Sequence, residues 1–123
     1  MSSIHVARRV IVFEDHEDLA AALKDLLRER LGFDIVASAS CLTDALRLAR
    51  MEYFDVAVVD LDLQGVMAYP VLDELQRRGI PYVLATGTLS MDIPETYRAP
   101  VVCKPYSLHQ LENALDQATS TRG

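Results

Sequence analysis

The chain has 123 residues, enough for one domain with a real core and too few for two. Half of the residues are hydrophobic, a proportion typical of a folded domain and not of a disordered chain. The net charge of −6 argues against direct nucleic-acid binding, because that binding requires a positively charged face. Composition therefore favours a single globular domain that does not act on nucleic acid by itself.

Membrane insertion and secretion are not expected either. No apolar stretch approaches the roughly 20 residues of a membrane-spanning helix, and the N-terminus lacks the apolar segment of a signal peptide. Cys41 and Cys103 are isolated from each other and from any histidine at metal-ligand spacing. Such cysteines are expected to be reduced thiols, which predicts a cytoplasmic protein.

Strand and helix patterns alternate along the chain, with about 8–118 as the folded core and a polar tail at 119–123. Apolar runs without alternation predict strands buried on both faces, and runs with a period of 3.6 residues predict helices. In chain order we predict a strand at 8–13, a helix at 17–31, a strand at 33–37, a helix at 43–51, a strand at 54–59, a helix at 67–78, strands at 80–85 and 101–103, and a helix at 108–118.

Two of the predicted helices carry further signals. A stripe of leucines is expected to face the core from the first helix, at Leu19, Leu23, Leu26, Leu27 and Leu31. Ser107 is a suitable N-cap for the last helix. Between the strands at 80–85 and 101–103, Gly87, Pro94 and Pro100 leave room for about two helical turns at most, at 92–98. The fourth connection is therefore expected to be partly loop.

This alternation predicts an α/β fold with a parallel sheet covered by helices on both faces. Right-handed crossovers leave few topologies, and the natural choice is the flavodoxin-like, doubly wound strand order 2-1-3-4-5, with a shortened fourth helix. In such a sheet, ligands bind at the carboxyl ends of strands 1 and 3, where the strand order reverses.

Charged residues follow the strands at this same edge. Glu14 and Asp15 follow strand 1, Asp60 follows strand 3, and Lys104 follows strand 5. Two like charges about 4 Å apart repel by about 4 kcal/mol at an effective dielectric constant of 20. Three carboxylates therefore either share protons or hold a cation, and an oxygen-only site suits Mg²⁺. We expect no histidine or cysteine here that would favour zinc.

Each of these residues also has a plainer interpretation. Strand-terminal acids can cap helices or face solvent, and Asp15 or His16 could begin the first helix. Lys104 can pair with Asp60 or bind a phosphoryl oxygen, or it can be a surface lysine. Pro105 makes the Lys104–Pro105 bond a candidate cis peptide. The Thr86 hydroxyl at the end of strand 4 could bind the same anion, or Thr86 could simply favour a strand.

Taken together, these residues resemble the receiver domain of two-component response regulators, over about residues 8–118. The resemblance rests on the acidic pair Glu14 and Asp15, on Asp60, on Thr86, and on Lys104 with its proline. It implies a signalling phosphoacceptor and not an enzyme with a separate substrate. A histidine kinase or phosphotransfer protein would supply the phosphoryl group to Asp60.

The resemblance also implies a role for each site residue. Asp15 would bind Mg²⁺ directly and Glu14 through water, while Asp60 would add a carboxylate oxygen and Asp62 its backbone carbonyl. Thr86 and Lys104 would bind phosphoryl oxygens. This arrangement agrees with phosphoryl transfer as a reaction catalysed by positioning and charge neutralisation.

Several positions depart from the family pattern or tune it. Val101 stands where the family commonly has an aromatic switch residue, which puts the usual coupling between threonine and aromatic ring in doubt. Asp62 and Thr88 lie where side chains tune phosphate lifetime in the family, and Asp62 is equally well explained as a solvent-facing loop acid. Gly65 can supply the turn into the third helix.

Four hypotheses follow for the whole protein. The first is a stand-alone, single-domain receiver of residues 1–123, a monomer or weak dimer that signals to an unknown downstream protein. The second is a non-phosphorylated interaction module on a receiver fold, suggested by Val101. The third is a receiver cut from a longer regulator or hybrid kinase. A flavin-binding protein is the least favoured, because the acidic loop after strand 1 would repel the flavin phosphate.

Overall fold

The computed structural model of the protein describes residues 8–87 and 92–120. The elements in chain order are β1 (Arg9–Phe13), α1 (Glu17–Asp25) continued by a π-helical turn (Leu26–Arg30), β2 (Asp34–Ala39), α2 (Leu42–Met51), β3 (Val56–Asp60), β4 (Asp62–Leu63), β5 (Val66–Met67), α3 (Tyr69–Arg78), β6 (Tyr82–Thr86), a 3₁₀ turn (Glu95–Tyr97), β7 (Val101–Cys103) and α4 (Leu108–Ser120).

Five parallel strands form the main sheet in the order β2-β1-β3-β6-β7. Counted along this sheet alone, the order is 2-1-3-4-5, so the predicted flavodoxin-like topology is confirmed. β4 and β5 form a separate antiparallel hairpin directly after β3. No helix in the described part of the chain is both long and apolar enough to cross a membrane.

The central strands are apolar on both faces because each face packs against its own pair of helices. Ile11 and Phe13 of β1 belong to one core cluster, which includes the inner faces of α2 and α3. Val10 and Val12 belong to a second cluster, which includes the inner faces of α1 and α4. Burial of every side chain of β3 explains why its sequence shows no alternation.

The segment after β3 differs from the predicted turn directly into a helix. Gln64 and Gly65 both have positive φ, at 55° and 83°, and they join β4 to β5 as a two-residue hairpin turn. Positive φ at both central residues is the geometry of a type I′ turn, which suits the twist of paired strands. Met67 therefore ends β5, and α3 begins at Tyr69 instead of residue 67.

Two further expectations can be compared with the structure. The leucine stripe of the first helix is confirmed at Leu23 and Leu27, which are buried, but the prediction was wrong at Leu19, which is 45% exposed. Ser107 caps α4: its Oγ accepts a hydrogen bond from Gln110 N at 3.1 Å, and its own N–H donates to Gln110 Oε1 at 2.8 Å.

The fourth connection is short, as predicted. Its described part contains only a 3₁₀ turn, Glu95–Tyr97, in place of a full helix. The Tyr97 ring stacks on Tyr69 of α3 with ring centroids 4.8 Å apart, and the Tyr97 hydroxyl donates a hydrogen bond to Asp73 Oδ1 at 2.8 Å. These contacts hold the connection against α3.

Strand register brings the charged residues to one edge of the sheet. Phe13 of β1 is level with Val59 of β3, so Glu14 and Asp60 follow side by side. Asp60 is level with Ala85 of β6, and Lys104 N donates to Thr86 O at 2.8 Å. The carboxyl ends of three adjacent strands and of β7 therefore converge as the sequence predicted.

Candidate functional site

Two carboxylates and one hydroxyl are buried at this edge of the sheet. Glu14 is 4% exposed, Asp60 is 6% exposed and Thr86 is 4% exposed. The first residue lies just beyond β1, and the other two are the last residues of β3 and β6. Burial of charged groups is costly unless each finds a partner, so the contacts of these side chains decide what the site can do.

Lys104 is the central cation of the site. Its Nζ lies 2.9 Å from Asp60 Oδ2, as the sequence suggested, and 2.7 Å from Glu14 Oε1. The second ion pair was not anticipated. The Lys104 side chain is 16% exposed, so its ammonium is largely removed from water. The bond from Lys104 to Pro105 is cis, as the sequence suggested.

The pKa values of Asp60 and Lys104 reflect burial and mutual contact. Burial raises the pKa of Asp60 to about 6, against the opposing effect of the Lys104 ammonium and the Asp62 N–H, while the Glu14 carboxylate adds to the rise. Burial lowers the pKa of Lys104, but its contacts with Glu14 and Asp60 outweigh that and raise it above the usual value. The lysine therefore stays charged at neutral pH.

Asp15 presents an oxygen that the protein leaves without a hydrogen bond. Asp15 Oδ2 accepts one from Gln64 N at 2.9 Å, whereas the buried Oδ1 accepts none from the described residues. Burial raises the pKa of Asp15, but the Gln64 N–H, the contact with the Glu14 side chain and the nearby His16 ring together bring it below its usual value. Asp15 is thus an ionised carboxylate with one oxygen available to a further ligand.

The donor set fits a small divalent cation. Three carboxylates face one ammonium, which leaves negative charge that the site does not neutralise by itself. Glu14, Asp15, His16 and Asp60 each offer an atom, and these atoms all lie within 4.8 Å of one another. Carboxylate oxygens around Asp15 Oδ1, which accepts no hydrogen bond from the described residues, suit Mg²⁺, which takes one or two carboxylates and keeps several waters.

Two participants in the site were missed from the sequence. His16, which the sequence offered only as a helix start, is the N-cap residue of α1, and its Nδ1 lies 3.1 Å from Asp15 Oδ1. The expectation that no histidine would lie at this site was therefore wrong. Gln64 belongs to the unanticipated hairpin, and its N–H fixes Asp15.

Asp62 lies beside Asp60 but directs its side chain to the hairpin. Asp62 N donates to Asp60 Oδ1 at 3.0 Å, and Asp62 Oδ1 accepts from Gly65 N at 2.7 Å. One carboxylate oxygen of Asp62 therefore stabilises the turn. Val101 of β7 is 45% exposed, and Thr88 lies outside the described residues, so its predicted tuning role stays a prediction.

Comparison with known proteins agrees with this arrangement. A family model described as the response regulator receiver domain matches residues 10–116. The chain is 27% identical over 114 residues to BvgA of Bordetella pertussis, named a putative positive transcription regulator of virulence factors, covering 86% of this chain and 53% of that protein. The chain thus spans about half the length of this curated relative.

Solved structures share the fold over nearly the whole chain. SdrG from Sphingomonas melonis Fr1 is 28% identical, with a TM-score of 0.81, and the match covers 94% of this chain and 98% of that chain. The receiver domain of the sensor histidine kinase PA1611 from Pseudomonas aeruginosa PAO1 is 18% identical, with a TM-score of 0.80, and the match covers 94% of this chain and 100% of that chain. The PA1611 structure has a magnesium ion coordinated in its active-site cleft.

Proposed function

Because the chain belongs to the response regulator receiver domain family, we propose that it accepts a phosphoryl group on Asp60 from the phosphohistidine of a sensor histidine kinase or a histidine phosphotransfer protein. The observation that carries this proposal is the Asp60 carboxylate, which is 6% exposed at the end of β3 and held 2.9 Å from the Lys104 ammonium. A structural ion pair would not need two further carboxylates beside it.

The proposed step is an in-line displacement at phosphorus. One carboxylate oxygen of Asp60 forms a bond to phosphorus as the bond from phosphorus to the donor's imidazole nitrogen breaks. The electron pair of that broken bond stays on the imidazole, which leaves as neutral histidine after taking up a proton. Attack requires an ionised Asp60, and its pKa of about 6 allows this at neutral pH.

Mg²⁺ is the cofactor that we propose for this step. Asp15 would hold it through Oδ1, with Asp60, Glu14 and the Asp62 backbone carbonyl as the other protein groups. When bound, the ion neutralises charge on the phosphoryl oxygens. The protein's own part is to keep Asp15 ionised and fixed, which the hydrogen bond from Gln64 N does at 2.9 Å.

Lys104 and Thr86 are proposed to bind the transferred group. Lys104 already contacts Asp60, so a phosphoryl group on that carboxylate would lie within reach of the ammonium after a small movement of the side chain. Thr86 ends the neighbouring strand and is buried beside Ala85, which is level with Asp60. The Thr86 hydroxyl is therefore near the expected position of the new phosphoryl oxygens.

We propose that the output of this receiver unit, residues 1–123, is a contact with a downstream protein. The net charge of −6 does not favour direct nucleic-acid binding. Val101 of β7 has no ring to move inward. Phosphorylation would therefore change the surface around β7 without the usual threonine–aromatic coupling. We propose that the protein acts as a monomer or weak dimer in the cytoplasm, a compartment in which the free thiols of Cys41 and Cys103 would stay reduced.

Intact-protein mass spectrometry tests the proposed function. The wild-type protein is incubated with acetyl phosphate and either Mg²⁺ or EDTA, alongside Asp60→Asn and the matched control Asp62→Asn. We expect one added phosphoryl group in the wild type and in Asp62→Asn, with Mg²⁺ only. Absence of the added mass in the wild type, or its persistence in Asp60→Asn, would contradict the proposal.

A non-phosphorylated interaction module is the second candidate, favoured by the ring-less and partly exposed Val101. This alternative predicts that the wild type takes up no phosphoryl group and binds no Mg²⁺ at millimolar concentration. The same samples, titrated with MgCl₂ in a calorimeter, separate the two candidates.

A further inference from the structure

His16 lies at the cation site with a nitrogen directed toward the acidic residues. Its Nδ1 is 3.1 Å from Asp15 Oδ1 and 3.4 Å from Glu14 Oε2. The side chain is 69% exposed, so an ion can reach the ring from solvent. As the N-cap residue of α1, His16 has its backbone fixed by the start of that helix.

The contact between His16 and Asp15 lies within ion-pair distance, yet its geometry is not that of a hydrogen bond. Asp15 Oδ1 is buried and accepts no hydrogen bond from the described residues, although Nδ1 lies 3.1 Å away. Two adjacent ligands on an octahedral ion with bonds of about 2.1 Å are separated by about 3.0 Å. The two atoms are therefore spaced as neighbouring ligands of one metal ion would be.

We propose that His16 Nδ1 is a ligand of the divalent cation at this site, together with Asp15, and that the site consequently binds Ni²⁺ and Zn²⁺ more tightly than Mg²⁺. The inference rests on the cation site of the proposed function and adds a nitrogen ligand to it. Imidazole favours late first-row transition ions, whereas an all-oxygen site favours Mg²⁺. Consecutive ligands on one fixed backbone segment also lose little conformational entropy when an ion binds.

A competing interpretation assigns His16 a purely internal contact. With a proton on Nδ1, the ring pairs with Asp15 Oδ1 at 3.1 Å, donates a hydrogen bond to Glu14 Oε2 at 3.4 Å, and takes no part in metal binding. That arrangement gives no reason for nickel to bind better than magnesium through this residue. The two interpretations therefore differ in how substitution of His16 changes metal selectivity.

Isothermal titration calorimetry with NiCl₂ and MgCl₂ tests the inference on the wild type, His16→Gln and His109→Gln. His109 is an exposed histidine on α4 whose ring contacts Asn113, so its substitution controls for adventitious binding by a surface imidazole. We expect His16→Gln to lose about tenfold or more in Ni²⁺ affinity and much less in Mg²⁺ affinity. His109→Gln should match the wild type for both ions.

Equal losses for Ni²⁺ and Mg²⁺ in His16→Gln, or no loss, would overturn the inference. A ¹⁵N spectrum of the histidine side chains with added Zn²⁺ gives a direct second measurement. We expect the Nδ1 resonance of His16 to move while that of His109 does not; movement of neither contradicts ligation by His16. Failure of the proposed function is distinguishable, because it would appear as absent Mg²⁺ binding and absent phosphorylation in the wild type.

Discussion

Replacement of Asp60 by asparagine should stabilise the metal-free protein at neutral pH. The Asp60 carboxylate is buried at the end of β3 near Glu14, and its pKa is raised from 3.8 to about 6 despite the contact with Lys104. Ionising this group in the folded protein therefore costs more free energy than ionising it in the unfolded chain. Asparagine keeps the size and an acceptor oxygen but removes the charge.

The sign and size of the effect follow from the two pKa values. A carboxyl whose folded pKa is raised contributes stability that is fully present below the unfolded pKa of 3.8 and is lost as pH rises through about 6. One pKa unit corresponds to about 1.4 kcal/mol, so the wild type loses roughly 3 kcal/mol across this interval. Asp60→Asn should not show this loss, and the two proteins should diverge by about 10 °C in Tm at pH 7.5 relative to pH 4.

Thermal unfolding followed by circular dichroism from pH 4 to pH 7.5, in EDTA, measures this difference. Glu112→Gln is the matched control, because it removes one carboxylate from the exposed face of α4. We expect the gap between Asp60→Asn and the wild type to widen as pH rises, while the control gap stays constant. A gap that does not depend on pH, or one that closes toward pH 7.5, would refute the reasoning.

Three further substitutions test other parts of the structure. Mg²⁺ should raise the Tm of the wild type but not of Asp15→Asn, because this substitution replaces the carboxylate that offers Oδ1 with a neutral amide. An equal rise in both would contradict the assigned ligand. Gly65→Ala should lower the free energy of unfolding, measured in urea, by about 1 kcal/mol, because a φ of 83° is unfavourable for alanine. An added Cβ would meet no atom within 4 Å, so the backbone conformation is the cause of this loss. Tyr97→Phe should lower the free energy of unfolding through the lost hydrogen bond to Asp73, whereas Tyr53→Phe, at an exposed ring, should leave it unchanged.

Strand ends were predictable from the sequence because a strand buried on both faces is an uninterrupted apolar run, and the end of the run is easy to locate. Apolar runs in β1 and β3 have no alternation, and the first charged residue after each run marks the end of the apolar core. Parallel pairing then fixes the relative height of Glu14 and Asp60, whatever their side chains do. The fold and the convergence of the site therefore followed from backbone arguments alone.

Side-chain contacts within the site were not predictable in the same way. A strand end places the Cα of Lys104 but not its ammonium, so its pairing with Glu14 as well as Asp60 could not be derived. The ring of His16 has the same uncertainty: its position after Asp15 indicated a helix start, and only the structure shows Nδ1 near Asp15 Oδ1. Long or rotatable side chains account for these omissions.

The hairpin of β4 and β5 was missed although its signal is present. Gln64 and Gly65 separate the apolar residues Leu63 and Val66, a spacing typical of a two-residue turn, but each strand is too short to show periodicity. Leu19 was misassigned because a helical stripe does not reveal how far the neighbouring sheet extends. At the start of α1 the core has already ended, so this leucine is partly exposed.

The most direct measurement of the central claim is the position of the phosphoryl group in the chain. The protein is phosphorylated with acetyl phosphate and Mg²⁺, reduced with borohydride so that an aspartyl phosphate becomes homoserine, and digested for peptide mass spectrometry. We predict conversion at Asp60 alone. Conversion at Asp62 or another acid, or no conversion in a fully folded sample, would contradict the account.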